Sequence, residues 1–283
     1  MKNTNSQLVK HLEKEMQYRN YSPRSVHTYG SLMSNLGNFF DISLDKITSQ
    51  QFKDYLHHRI THDSVSTSMV NQSISAFKIL QTDILGRDWE TIKIKRPRRE
   101  KKLPVILSLN EIENLISVTS NIKHKALLML SYSSGLRRQE SQNIKPSAID
   151  SERMRVHVVQ AKGNKDRYTI LSAKALETLR LYYKHERPSN YLFESQARRG
   201  HYLSSTTLHN IVKINAAKAG IKKAVSFHTL RHCFATHLLE KGVNLRLIQQ
   251  YMGHGSLKTT SLYLHLANIE PSSIVSPLDS MNV

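Results

Sequence analysis

The sequence predicts a mainly helical protein with one small antiparallel β-sheet, an α+β fold. Three observations carry this. Apolar residues recur every three or four positions through most of the chain, the period of a helix buried along one face. β-Branched alternation is confined to one stretch, around residues 147–171. Between the two helical regions lies a basic, proline-broken run, Lys93 to Pro104, where the periodicity stops. The division that follows is a helical domain at 1–91, a basic linker at 92–104, a second domain at 105–270 and a tail at 271–283.

Residues 1–90 read as four or five short amphipathic helices. Leu8, Leu12 and Met16 set the period of the first, from about Ser6 to Arg19. Ser22-Pro23 supplies an N-cap followed by proline at the first helical position, ahead of Val26, Tyr29, Leu32 and Leu36. Thr48 and Gln51 form a capping box before Phe52, Tyr55 and Leu56. A further stripe runs from Ser66 to Ile84. In the second domain Ser108 and Glu111 make another capping box, and a buried helix over Ile122–Leu130 ends at Ser134-Gly135. Ala148–Asp150, Met154–Val159 and Tyr168–Leu171 read as strands of a three-stranded sheet, with Lys162-Gly163-Asn164 in a hairpin turn. Helices resume at Ser172–Lys184 and Ser204–Ala219. A helix opening at His228 ends before Gly242, a short one is capped by Asn244, and a third, capped by Ser256, carries Tyr263. Tyr18, Tyr55, Tyr132 and Tyr251 read as core tyrosines, and Cys233 as packing.

Lys and Arg number 41 against 22 Asp and Glu, a net charge of +19. The excess is shared by both halves, which points to nucleic acid as the partner. No apolar run approaches the ~20 residues of a spanning helix, and the N-terminus offers no signal-peptide core, so no membrane is expected. A single cysteine allows no internal disulfide and fits a reducing cytoplasm. The linker's Lys93, Lys95, Arg96, Arg98, Arg99, Lys101 and Lys102 are candidates for phosphate-backbone contact.

His228 and Arg231 are three apart on one helix, and His254 precedes Tyr263 by nine residues. Imidazoles, an arginine and a tyrosine at these spacings suggest phosphate chemistry with a tyrosine nucleophile. A phenol titrates near 10, so roughly one in a thousand is ionised at pH 7, an obstacle of about 4 kcal/mol. Cations or a base must lower it. A phosphoryl transition state gathers negative charge that guanidiniums bind well, and an alkoxide leaving group needs a proton, which an ammonium can give. The sequence offers Tyr263, His228, His254, Arg137, Arg231 and Lys162, with Lys165 the alternative lysine. Zinc is the rival chemistry, since His228 and His232 share an i, i+4 face. No cysteine pair or HExxH glutamate accompanies them. No GxxxxGK[ST] loop is present either.

Four pieces of text, Ser-Ser-Gly-Leu-Arg-Arg-Gln-Glu (133–140), Gln-Ala-Lys-Gly-Asn-Lys-Asp-Arg (160–167), His228 to Gly242 and Met252 to His265, occur in an order that resembles the tyrosine site-specific recombinases, similar to the Xer and integron-integrase branch of the phage-integrase family. The resemblance implies a DNA-clamping, SAM-like N-terminal domain and a catalytic domain that cuts and rejoins DNA through a 3′-phosphotyrosyl link at Tyr263, without ATP, metal or other cofactor. It implies that Arg137 and Arg231 bind the scissile phosphate, Lys162 protonates the leaving 5′ oxygen, His228 assists proton transfer and His254 hydrogen-bonds the phosphate. Glu140 would support the site from below. Also implied are double-stranded DNA with inverted-repeat core sites, a Holliday junction in a DNA-bound tetramer with tails exchanged between protomers, and a cytoplasmic, nucleoid-associated location. A catalytically silent architectural or regulatory DNA-binding protein and a type IB topoisomerase-like nicking-closing enzyme are the alternatives. Where the family follows its glutamate with leucines, this chain has Ser141-Gln142-Asn143.

Overall fold

The computed structural model describes residues 2–89, 94–97, 103–161 and 165–268. The chain forms two compact units, Met1–Lys102 and Leu103–Val283.

In the first unit the described helices are α1 (Lys2–Tyr18), α2 (Pro23–Phe40), α3 (Ser49–Thr61) and α4 (Thr67–Ile79). Their starts follow local chemistry. The Ser22 hydroxyl accepts from the Ser25 N–H with Pro23 next in line, and Thr48 and Gln51 satisfy one another's backbone N–H groups. Ser66 caps α4, which widens at Leu80 into a π turn ending at Ile84. Leu12, Met16, Leu36, Phe52 and Phe77 close the core, with Phe52 stacked on Phe77 at 3.9 Å between centroids. Tyr18 is not a core residue: it is 87% exposed. It lies two positions past the buried Met16, about 200° round the helix from it.

Of the basic run, Lys93, Arg98, Arg99, Lys101 and Lys102 lie outside the described residues, and Lys95 and Arg96 lie within them. At Ile94–Pro97 the run is part of the first unit. Ile94 is buried in that unit's core. Arg96 donates to the Asn71 carbonyl at 3.0 Å and to the Ser75 hydroxyl at 2.9 Å. Ile94 has apolar surface to bury, and that ties this stretch of the linker to the first unit.

The second unit contains α5 (Leu109–Ser117), α6 (Ile122–Ser133), α7 (Arg138–Asn143), β1 (Ile149–Asp150), β2 (Arg155–Ala161), β3 (Lys165–Ile170), α8 (Ala173–Glu186), α9 (Ser205–Lys218), α10 (Phe227–Glu240), α11 (Leu245–Met252) and α12 (Leu257–Thr260). The sheet runs β1-β2-β3, antiparallel throughout, with Val156 opposite Thr169 and Val158 opposite Arg167. Val156 and Val158 face the core while Val159 turns outward. α6, α8 and α10 surround that core.

α10 is the centre of this unit. Leu230, Phe234 and Leu238 recur every four residues, a period that by itself asks for one buried stripe, yet nearly the whole helix is enclosed and Arg231 is 4% exposed. The strap entering the unit is pinned to it: the Leu107 N–H donates to Cys233 Sγ at 3.2 Å, and the Leu107 carbonyl lies 2.9 Å from His237 Nε2. Ser141 and Gln142, standing where leucines were expected, are buried and partnered. Ser141 Oγ meets Ser131 Oγ at 3.0 Å, and Gln142 donates to the Leu203 carbonyl at 2.7 Å. α12 is a single turn, and Tyr263 sits beyond it on a 3₁₀ segment, Ser261–His265, not on a third α-helix.

Candidate active site

The site grows from the carboxyl end of α11. A helix leaves its last carbonyls without partners, and its dipole makes that end attractive to cations. Here three consecutive carbonyls each take an arginine. Tyr251 O accepts from Arg167 Nε at 2.8 Å, Met252 O from Arg231 Nη2, and Gly253 O from Arg137 Nη2 at 2.8 Å. Gly253 turns the chain at φ +59°, and a Cβ there would lie 2.7 Å from Arg167 Cδ.

Arg137 stands at the N-cap position of α7. Its backbone N–H is satisfied by Glu140 Oε2 at 2.7 Å, and its Nη1 by Glu140 Oε1 at 2.8 Å. Gly135 makes the preceding turn at φ +60° with the Phe234 ring against it, and its carbonyl accepts from Arg231 Nη1. Glu140 is therefore both the helix cap and the anion at the middle of the rack. Arg167 grips it bidentately, at 2.7 Å for each bond, and Arg231 Nη1 lies 3.9 Å from its Oε2. Burial pushes the Glu140 carboxyl up, but the Arg167 hydrogen bonds and charge, with the Arg137 bonds, outweigh it and hold it at about 2. Burial pushes the Arg231 guanidinium down to about 9, aided by Arg137, and it stays cationic at neutral pH. Three guanidiniums thus face one carboxylate. The imbalance is what an anion such as a phosphodiester would correct.

Beside this rack lies Tyr263, 2% exposed. Burial raises its phenol above the ordinary value, with Arg231 and Arg137 opposing. Its hydroxyl is 3.0 Å from His232 Nδ1. The His254 ring lies parallel to the tyrosine ring, centroids 6.5 Å apart, and its Nδ1 is 2.9 Å from the Thr260 hydroxyl. Burial, then Arg231, pulls His254 down to about 4, so it is neutral near pH 7. His228 is exposed, and its ring is 6.4 Å from that of His232.

The structure thus brings together Arg137, Glu140, Arg231, His254 and Tyr263, with His228 at the rim. Lys162 lies outside the described residues, and of Lys165 only the backbone on β3 is described. Two members were missed. Arg167 closes the 160–167 text, and an arginine at an inward strand position opposite Val158 is a signal, because a buried guanidinium needs a carboxylate. His232 was weighed only as a zinc ligand. The histidines do not converge: His237 bridges the Tyr132 hydroxyl and the Leu107 carbonyl, and His254 holds Thr260. Among the described residues no three metal-ligating side chains cluster, and no helix is long and apolar enough to cross a membrane.

Residues 106–270 match the phage integrase family and residues 8–91 the phage integrase N-terminal SAM-like domain. The chain is 34% identical over 273 residues to the Sinorhizobium fredii protein y4qK, provisionally named an integrase/recombinase, covering 96% of this chain and 88% of that one. It is 32% identical to tyrosine recombinase XerA of Pyrococcus horikoshii, covering 89% and 87%. In fold it is similar to the XerH site-specific recombinase bound to palindromic difH substrate in a post-cleavage complex (TM-score 0.70, 23% identity, 93% and 82% covered). It is likewise similar to a lambda integrase tetramer bound to a Holliday junction (TM-score 0.71, 19% identity, 91% and 76% covered).

Proposed function

This chain belongs to the phage integrase family, and we propose that it is a site-specific DNA recombinase in which Tyr263 attacks a backbone phosphate and forms a 3′-phosphotyrosyl intermediate. One observation carries the assignment of the site. A buried tyrosine stands beside three guanidiniums that share a single carboxylate. Such a site has positive charge in hand for a phosphodiester and a nucleophile next to it.

In this reading Arg137 and Arg231 hold the non-bridging oxygens. The carbonyls of Gly253, Gly135 and Met252 fix each guanidinium in advance, so little reorganisation accompanies charge development. Glu140 and Arg167 position Arg137. His254 is aligned through Thr260: when Nδ1 takes the hydroxyl proton, Nε2 is left as an N–H donor for the phosphate. His228 assists proton transfer from the rim, and Lys162 protonates the 5′ oxygen. The phosphotyrosyl link conserves the phosphodiester bond energy, so the strand can be rejoined to a new partner. The partner is double-stranded DNA with inverted-repeat core sites, in keeping with the palindromic substrate of the XerH complex. The assembly is a tetramer acting through a Holliday junction, in keeping with the lambda integrase complex. Tails at 271–283 would be exchanged between protomers, and the protein would work in the cytoplasm on the nucleoid.

A nicked suicide DNA site incubated with the protein in EDTA tests this. A covalent protein–DNA adduct is expected with the native chain and none with Tyr263→Phe. Lys162→Ala should bind DNA normally but cleave about 10²–10⁴-fold more slowly. An adduct from Tyr263→Phe overturns the nucleophile.

A further inference from the structure

We propose that His232 is a catalytic residue, the group that takes the proton from the Tyr263 hydroxyl as that oxygen attacks phosphorus. The proposal rests on the reading of Tyr263 as nucleophile and adds a residue that this reading does not require.

Position is the first argument. A general base must lie within hydrogen-bond reach of the proton it removes, about 2.6–3.2 Å between heavy atoms. His232 Nδ1 is 3.0 Å from Tyr263 Oη. The other two imidazoles at the site are placed differently. His254 lies parallel to the tyrosine ring with its Nδ1 occupied by Thr260. His228 sits one helical turn before His232, exposed, where it can pass a proton between His232 and solvent.

Protonation state is the second argument. His232 follows Arg231 directly on α10, so the phosphate-binding cation and the base ride on one rigid element. The titratable and charged groups facing it are His228 and Arg231 from its own helix, and Tyr263 and His254 from the segment after α11. Burial, then His228 and Arg231, pull it down to about 4, so it is neutral and able to accept at working pH. A base this weak does not ionise the resting phenol. Transfer must accompany attack, when the phenol oxygen loses electron density to phosphorus and the bound phosphate offsets Arg231.

The step balances as follows. The Oη–P bond forms, the P–O5′ bond breaks, the Oη proton moves to His232 Nδ1, and O5′ takes a proton from Lys162. In rejoining, the O5′ hydroxyl returns its proton to Lys162 while the His232 imidazolium reprotonates the departing Tyr263. His232 must rest as the Nε2–H tautomer with Nδ1 bare.

His232→Asn keeps a hydrogen-bond acceptor near Oη but cannot carry the proton away. Its DNA affinity should match the native protein. Single-turnover adduct formation on suicide DNA should fall about 10²-fold or more and rise about tenfold per pH unit toward pH 9, where hydroxide substitutes for the base. In His232→Ala, added imidazole should restore part of the rate. A native rate and pH profile in His232→Asn, with Tyr263→Phe inactive, overturns the role of His232 and leaves the nucleophile standing. An adduct from Tyr263→Phe overturns the nucleophile instead. Should the variants fail to fold, ¹⁵N-histidine NMR of the native protein decides. A bare Nδ1 on His232 at pH 7 is expected, and a proton on Nδ1 donated to Tyr263 overturns the proposal.

Discussion

Replacing Glu140 with glutamine removes one charge from the middle of the arginine rack while keeping its shape. The native carboxylate takes two bonds from Arg167 at 2.7 Å, one from the Arg137 side chain at 2.8 Å and one from its backbone at 2.7 Å. A carboxyl ordinarily titrating near 4.5 is held at about 2. At 1.36 kcal/mol per unit this is about 3 kcal/mol favouring the folded state. The amide keeps one acceptor but leaves three guanidiniums without a counter-charge, and breaking a buried pair from one side costs about 3–5 kcal/mol. A loss of about 3–4 kcal/mol is therefore expected at pH 7. Because the folded value lies below the unfolded one, this contribution is whole above pH 4.5 and disappears as pH falls through 2. The native and Glu140→Gln proteins should thus converge between pH 4.5 and 2. Urea unfolding followed by far-ultraviolet circular dichroism, with hydrogen exchange in α7 and β3, measures the difference at each pH. A gap below 0.5 kcal/mol at pH 7, on the order of a surface change, would refute the argument, as would a gap that does not shrink in acid.

Gly253→Ala should destabilise the second unit by about 2 kcal/mol, from left-handed backbone at φ +59° and from a Cβ 2.7 Å from Arg167 Cδ. It should slow adduct formation on suicide DNA as Arg167 leaves the Tyr251 carbonyl; unchanged unfolding and cleavage would deny the rack its importance. Along the basic run, Lys95→Ala should lower the salt slope of DNA binding by about 0.9. Arg96→Ala should leave that slope alone and destabilise the first unit by about 1 kcal/mol, because its guanidinium is committed to Asn71 and Ser75. Equal slope changes in both variants would show that Arg96 lets go of α4 to reach phosphate.

Much of this protein is written locally. Ser22, Thr48, Ser66, Ser108, Asn244 and Ser256 each cap the helix that the chain places after them, since a cap needs only a hydroxyl or amide and an N–H two or three residues away. The three-stranded hairpin sheet is likewise a matter of alternation and turn. The chemistry is legible for a related reason: a tyrosine, two arginines and their histidines recur in one order with fixed context. The partners inside the site are another matter. His228 and His232 share one face of α10, about 6 Å apart along its axis, and no helical wheel tells which of them meets Tyr263. That was decided by where Ser261–His265 packs on the helix. Arg167 belongs to the hairpin text at 160–167, and only the packing of α7 brings a carboxylate to it. The end of α11 looked like any helix terminus. Its orphan carbonyls became the rack for three arginines only through the folding of segments from residues 137 to 253 around them. Local sequence specifies most of the helices, the sheet and the reagents; which donor meets which acceptor is settled by tertiary packing, because buried polar groups distant in the chain must satisfy one another wherever the core leaves them.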